Sequence, residues 1–348
     1  MIKKFIIIII IIIVVLFIFV NYNNYKYYYL LNIPYNNLIL SNNKTIKLSN
    51  TIIVNNNKFK TINITIIPYK NNYLSIIRFC NWYLDFNINN YFYTNTLPIQ
   101  NFHLINLMDN NFQIIKQKLL YIDCEDIRLF NKNDNICFSC NYFDENKNIY
   151  NIMICELDTE LNVHKIIKPI KHFYMIKNKI ESVPKYIDDS MYLFKNVYKK
   201  IKNYNKWEKN WTLFNYNDNL HIIYKWFPLH ICKINIDTLE LIEIKEMPNI
   251  FAFSRGSTNG YEYENLIWFI IHKVTTYKSY YHMFAIFDKK MNLKGYINNF
   301  KFENCIVEFC LGLVIEKDRI LISYSTYDTN CKIAIYNKKY IENLIIWL

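Results

Sequence analysis

The sequence predicts an all-β chain, arranged as a β-propeller behind an N-terminal apolar anchor. Three observations predict it. From about residue 51 the chain is a series of short runs rich in β-branched and aromatic residues, bounded by Asn, Asp, Lys or Gly. The runs are joined by turns of the Asp-Lys-Lys or Asn-Asp kind without a break suited to a domain linker. This narrows the fold to a large sandwich, a β-helix or a propeller. Polar residues interrupt the apolar runs at intervals, as expected where the innermost strands of several blades face one funnel.

The elements follow in order. Residues 1–20, "MIKKFIIIIIIIIVVLFIFV", carry an unbroken apolar run from Phe5 to Val20 behind Lys3 and Lys4. The run is slightly shorter than the ~17–25 residues usual for a membrane helix. No small-residue cleavage site follows, and the aromatic "YKYYYLL" suits an interfacial belt. These features predict an uncleaved, single-pass signal anchor, with the remainder of the chain lumenal or extracellular and the membrane a partner through this helix. Residues 21–50 are Asn- and Tyr-rich without periodicity and predict a stem. Residues 51–348 predict the propeller, with strands at "YLSIIRFCNWYL", "NICFSCNYF", "IYNIMICEL", "LHIIYKWF", "LIWFIIHKV", "HMFAIFD" and "RILISYSTY". Their alternation is partial and their aromatics abundant, as in strands buried on both faces. "MFAIFDKKMNLKGYI" is the clearest hairpin, turning at Asp288 to Lys290.

Composition bounds the function. A hydrophobic share of 52% over 348 residues supplies a large core. The formal charge of +12 is spread over scattered lysines, without an arginine stripe, and argues against a nucleic-acid partner. Against this lysine background stand only four arginines, Arg78, Arg128, Arg255 and Arg319. Lysine cannot reproduce a planar fork, so these positions point to forked contacts with carboxylates, phosphate or sugar hydroxyls. Nine cysteines, an odd count, lie mostly in apolar runs and read as packed thiols, with room for one or two bridges in an oxidising compartment. Cys137-Phe-Ser-Cys140 lacks a second pair, so no metal centre is expected. Sequons occur at Asn43, Asn63 and Asn210.

The polar interruptions are Asn63, Arg78, Glu125-Asp126-x-Arg128, Glu208-Lys209-Asn210-Trp211, Arg255-Gly256-Ser257, His272 and Asp328. Three of the four glycines, Gly256, Gly260 and Gly312, lie in or near these stretches. The ordered series "INITII", "YLSIIRFCNW", "EDIRLF", "EKNWTLF", "RGSTNG", "WFIIH" and "CLGLVIEKDRILISYSTYDTNCKIAIY" resembles glycoside hydrolase family 130 over residues ~60 to 340. That family comprises five-bladed propellers that phosphorolyse or hydrolyse β-mannosides, related to the mannosyltransferase/phosphorylases of glycosyltransferase family 108. The resemblance implies Asp126 as catalytic acid. It implies Asn63, Arg78, Glu125, Arg128, Arg255, Gly256, Ser257 and Asp328 as sugar-binding positions, and Lys209 and His272 as phosphate-binding positions. Ile127 replaces the Pro of the family's Glu-Asp-Pro-Arg stretch.

The chemistry is arguable from the residues alone. Breaking a glycosidic bond requires a proton for the leaving oxygen and a nucleophile on the opposite face of an oxocarbenium-like centre. An Asp in a partly desolvated funnel can hold that proton. If phosphate attacks, Lys209, His272 and an Arg would aim it. If water attacks, Glu208 or Asp328 would act as base; if a nucleotide sugar is the donor, Asp126 would serve transfer. No cofactor is expected beyond inorganic phosphate or a nucleotide sugar as co-substrate, and the expected partner is a glycan. The alternative is a catalytically silent glycan-binding propeller.

Overall fold

The computed structural model describes residues 38–48, 51–54, 57–81, 100–132, 135–146, 149–169, 209–216, 219–234, 239–275 and 279–348. The expected anchor and Glu208 lie outside these residues; among those described, no helix is long and apolar enough to cross a membrane.

The described strands form five sheets. Sheet I takes Thr51–Val54, Asn57–Tyr69, Asn72–Cys80, Asn101–Met108 and Ile114–Leu120 in sequence order. Sheet II takes Glu125–Lys132, Asn135–Asp144, Ile149–Leu157 and Val163–Ile167, and sheet III takes Thr212–Tyr216, Asn219–Trp226, Leu229–Ile234 and Leu239–Lys245. Sheet IV is built on Arg255–Gly256, Tyr261–Tyr263, Leu266–Val274, Tyr280–Asp288 and Leu293–Lys301, with Ile346–Trp347 at its edge. Sheet V takes Glu308–Ile315, Arg319–Thr326 and Asn330–Asn337. One short helix, Lys338–Asn343, is capped where the Asn337 side chain accepts from the Tyr340 amide.

Five apolar clusters close these sheets into a propeller-like ring. Sheets I and II share one around Leu74, Ile105 and Phe138. Sheets II and III share one around Ile154, Leu213 and Ile222. Those between III and IV, IV and V, and V and I centre on Phe269, Phe284 and Ile66. The period of two along a strand explains the unbroken apolar runs. In Leu266–Val274, Trp268 and Ile270 face sheet V, while Ile267, Phe269 and Ile271 face sheet III. A strand sandwiched between two neighbours has no solvent face to leave polar.

One hairpin turn recurs in three sheets, between Asn101–Met108 and Ile114–Leu120, between Ile149–Leu157 and Val163–Ile167, and between Tyr280–Asp288 and Leu293–Lys301. In sheets I, II and IV, respectively, Asp109, Asp158 and Asp288 each accept, through Oδ1, the amides two and four residues on at 2.8–2.9 Å. The fourth residue of each turn has left-handed backbone, with φ of 64° at Phe112, 63° at Leu161 and 57° at Met291. Phe112 and Met291 turn into the core from this position. The hairpin noticed at Asp288 is thus one copy of a repeated Asx turn.

Residues 38–47, expected within the stem, are instead partly strand. Leu38–Ile39 runs parallel to Leu293–Lys301 on sheet IV, and Lys44–Lys47 pairs antiparallel with Asn330–Asn337 at the outer edge of sheet V. Edge strands of this kind are fixed by main-chain bonds and need little apolar patterning, so their composition resembles a linker.

Sheets V and I meet most tightly at Gly312. A Cβ there would lie 2.3 Å from Ser323 Oγ and 2.7 Å from the Ile66 amide nitrogen. The approach lets Thr65 Oγ1 donate to the Leu311 carbonyl at 3.2 Å and Ser323 Oγ to the Ile64 carbonyl at 3.1 Å. Gly312→Ala is expected to lower the unfolding free energy by about 1–3 kcal/mol through overpacking, read as a lower urea midpoint at unchanged slope.

Candidate active site

The site grows from the first strand of sheet II. Pairing of Glu125 with Asn141 and of Arg128 with Ser139 leaves one extra residue between them, a β-bulge. Asp126 sits in it with φ 54°, a left-handed conformation that Asp tolerates better than most residues. The bulge turns the Asp126 carboxylate toward sheet I. Its Oδ1 accepts from Asn63 Nδ2 at 2.6 Å and Arg78 Nη1 at 3.3 Å, and its Oδ2 from Asn141 Nδ2 at 3.1 Å. All three partners are N–H donors.

Arg78, 4% exposed, grips both acids of the pair. Its Nη2 lies 3.1 Å from Glu125 Oε1, and its Nε donates to Asn101 Oδ1 at 2.9 Å. Burial alone would pull its pKa down, but Glu125 and Asp126 outweigh it and hold the pKa above the ordinary value. Lys209 completes the shell of Glu125 at 3.3 Å and lies 3.8 Å from the centroid of the Tyr150 ring. Burial, then the charge of Glu125, pushes the Tyr150 phenol up, which places that ring beside the acids.

Arg128 does different work from Arg78. At 1% exposure it donates Nη1 to the Asp126 carbonyl at 3.0 Å, Nη2 to Asn210 Oδ1 at 3.0 Å and Nε to the Ser257 carbonyl at 2.7 Å. It is a brace under the site, tying sheet II to the approach to sheet III and to sheet IV. Asn259 reinforces it, donating to the Arg128 and Leu129 carbonyls and accepting from the Leu213 amide at 2.8 Å. Gly256 permits the close passage: a Cβ there would come 2.4 Å from Thr212 Cγ2 and 2.5 Å from the Asn210 carbonyl.

His272 reaches the site only through others. It is buried, its Nδ1 lies 2.8 Å from Ser257 Oγ, and its ring stacks on Tyr280. Burial, with Arg255 and other cations nearby, lowers its pKa well below the usual value, so the imidazole is neutral. Arg255 pairs with it in register but is exposed.

Asp328 enters from sheet V, in a turn where Tyr327 and Asp328 both have positive φ. Its side chain is half-buried, and no hydrogen-bond donor among the described residues reaches its carboxylate. Desolvation, then the charge of Asp126, raises its pKa to about 6; Glu125 adds to this and Arg78 opposes it.

Most of the sequence-predicted residues therefore gather in one place. Asn63, Arg78, Glu125, Asp126 and Lys209 form one bonded cluster, Asp328 faces it, and Arg128, Gly256, Ser257 and His272 support it from behind. Arg255 stands outside as an exposed side chain. Sequence reasoning missed Asn141, Asn101, Tyr150 and Asn259. For Asn141 the available signal was its place opposite the acid pair in the predicted neighbouring strand. Of the sequons, Asn43 is exposed, whereas Asn63 is 4% exposed and bonded to Asp126. None of the nine cysteines is in a disulfide, and no group of three or more His, Cys, Asp or Glu side chains among the described residues is placed to hold a metal ion.

A closed ring of antiparallel sheets with polar side chains meeting where its inner strands converge is a propeller-type fold, and it is shared with carbohydrate-processing proteins of known structure. No family model matches the sequence, and no curated protein sequence matches it. Among solved structures, a presumed glycoside hydrolase from Parabacteroides distasonis superposes with a TM-score of 0.53 at 11% identity, covering 85% of this chain and 94% of that one. The β-1,2-mannobiose phosphorylase of Listeria innocua, bound to β-1,2-mannobiose, superposes with a TM-score of 0.52 at 12% identity, covering 82% and 93%. A glycosyl hydrolase from Bacteroides ovatus gives 0.50 at 10% identity, covering 80% and 84%. At such identities the likeness establishes the fold.

The raised pKa of Asp328 has a consequence for stability. The folded chain binds this proton more tightly than the unfolded one, so the contribution is fully present below the unfolded value of 3.8 and is lost as pH rises to about 6. Above pH 6 the ionised carboxylate destabilises the fold. Asp328→Asn is expected to stabilise the protein at pH 8 by on the order of 2 kcal/mol and to change little at pH 4, measured by urea denaturation at both values.

Proposed function

We propose that this chain is a carbohydrate-active enzyme, a five-bladed propeller with one blade per sheet, that breaks or forms a glycosidic bond in a mannoside-like substrate. The observation that carries this reading is a pair of carboxylates near enough for the charge of one to act on the other. Asp126 accepts from three donors, Asp328 from none among the described residues, and Arg78 and Glu125 lie close to both. Two carboxyl groups held in unlike environments are what glycosidic bond cleavage requires. The fold shared with a mannobiose phosphorylase supports the same class of substrate.

Of the two nucleophiles, phosphate and water, the geometry favours water. Lys209 is engaged with Glu125 and Tyr150, and His272 is buried and neutral, so neither offers a ready cation to phosphate. Phosphorolysis would require Lys209 to leave Glu125. The N-terminal anchor, with the propeller on the lumenal or extracellular side, belongs to this proposal. The apolar run at Phe5 to Val20 supports it, as does the exposed Asn43 sequon.

The test is product release from β-mannobioses and aryl β-mannosides, with and without inorganic phosphate. Free mannose is expected, unchanged by phosphate. Asp126→Asn should reduce turnover by about 10²–10⁴-fold while thermal stability and glycan binding persist. Retained turnover in that variant removes Asp126 from the mechanism. Wild-type binding without any product, with nucleotide sugars tried as donors as well, would establish instead a silent glycan-binding propeller.

A further inference from the structure

Glu308 is a buried acid that the chemistry described above does not use. It opens the first strand of sheet V, inside the apolar run "CIVEFC", and none of its surface is exposed. A carboxylate withdrawn from water must be matched by donors. Here the donors are main-chain amides of the connection that has just crossed from sheet IV. Phe302 donates to Oε2 at 2.7 Å, and Glu303 and Cys305 donate to Oε1 at 3.0 and 2.7 Å. Three amides within four residues converge on one carboxylate, as in an anion-binding nest whose anion belongs to the protein itself. Asn304, with φ 62°, supplies the left-handed residue in this curl.

The curled connection in turn offers its carbonyls to its neighbours. Val307 accepts the Tyr327 amide at 2.9 Å, and Ile306 accepts the Tyr280 amide at 2.9 Å. The Cys305 and Tyr327 side chains share a further hydrogen bond. Tyr327 begins the turn that carries Asp328, and both residues are left-handed, with φ of 56° and 49°. No donor among the described residues reaches the Asp328 carboxylate, so its place is set by the main chain of this turn. Building on the function proposed above, we propose that Glu308 is a positioning residue for Asp328: it fixes the 302–307 connection, and the connection fixes the turn that holds Asp328 against the sugar. The contacts of Glu308 are with main-chain amides, so it acts through the loop and not on the substrate. Side chains tie the same connection at two further points. Lys301 Nζ donates to the Cys305 carbonyl at 2.6 Å, and Glu303 accepts from Lys332 Nζ and the Tyr324 hydroxyl, both at 2.5 Å. These ties keep the connection attached when Glu308 is changed, so a substitution there shifts the turn without unfolding the sheet.

Two measurements on the full chain test this. The first needs no substrate: amide hydrogen exchange of the wild type and of Glu308→Gln, in which an N–H₂ replaces one acceptor oxygen. The amides of Phe302, Glu303 and Cys305 are expected to exchange roughly 10-fold faster or more in the variant, and the Tyr327 amide with them. Strand Leu266–Val274 should keep its protection. A Tyr327 amide that stays protected while the connection opens would overturn the proposal. Should the variant fail to fold, exchange of the wild type in rising urea decides the same point. Phe302, Cys305 and Tyr327 should open together below global unfolding, and separate openings would overturn it. The second is a double-mutant cycle on mannobiose. Glu308→Gln should lose about 10²-fold in kcat/KM. The pair Glu308→Gln with Asp328→Asn should be no slower than Asp328→Asn alone, since a residue acting through Asp328 has nothing left to place. Losses that multiply would mark Glu308 as a structural residue only and overturn the proposal. If the wild type cleaves no mannoside, the functional reading fails, while the exchange data still decide whether Glu308 sets the Asp328 turn.

Discussion

The guanidinium of Arg128 is the interaction on which the site depends. It is almost wholly withdrawn from water, and its three hydrogen-bond acceptors, the Asp126 and Ser257 carbonyls and the Asn210 side chain, are all neutral. Burial lowers its pKa, and the nearby Asp126 charge offsets part of that effect. Each acceptor must therefore be in place, because a missing one leaves a buried N–H unsatisfied at about 1–3 kcal/mol. Three directions of donation at fixed angles are something only the arginine fork supplies. Sheet II, the approach to sheet III, and sheet IV are thereby held in one register, and the bulge carrying Asp126 has a floor.

The strained positions follow from that brace. Asp126, Asn210, Tyr327 and Asp328 all have φ between 49° and 66°, although none is glycine. Such conformations persist only where the surroundings over-determine them. At Asp126 and Asn210 the determinant is visible: Arg128 holds the carbonyl of one and the side chain of the other. The strain serves to point side chains across the strand direction, into the space where the five sheets meet. The charge distribution is unequal for the same geometric reason. Arg78 reaches two acids, Lys209 reaches one of them, and Asp328 comes from sheet V, next to sheet I in the ring, with no cation among the described residues bonded to it.

Much of this was legible in the sequence where a residue type was rare. Arginine is scarce, so Arg78 and Arg128 marked the site at once, although Arg255 shows that scarcity alone does not place a side chain inside. Acids within an apolar strand were equally conspicuous at Glu125 and Asp126, and Asp328 stood out at the end of another. Asn141 and Tyr150 were invisible because asparagine and tyrosine are everywhere in this chain, with 31 Tyr alone; only strand register separates them from their neighbours. The β class was legible through long apolar runs, because both faces of each strand are buried. The strands at Leu38–Ile39 and Lys44–Lys47 were not, since an edge strand is secured by its main chain. The repeat of Asp109, Asp158 and Asp288 was written plainly as Asp followed four residues later by Gln or Asn. It was obscured by a middle that varies freely, since only its backbone matters.

His272 shows how a correctly located residue can have a different physical role from the one its position suggests. The resemblance places it among phosphate ligands, yet a neutral imidazole at 2% exposure contributes no charge to an incoming anion. It contacts Ser257 Oγ, and the carbonyl of that same Ser257 is an acceptor of Arg128, which in turn holds the Asp126 carbonyl. The chain of contacts ends at the carboxylate that repels Asp328. His272 thus bears on Asp126 through two intermediaries, Ser257 and Arg128. In the hydrolytic reading proposed above, the choice between water and phosphate depends on whether Lys209 can leave Glu125.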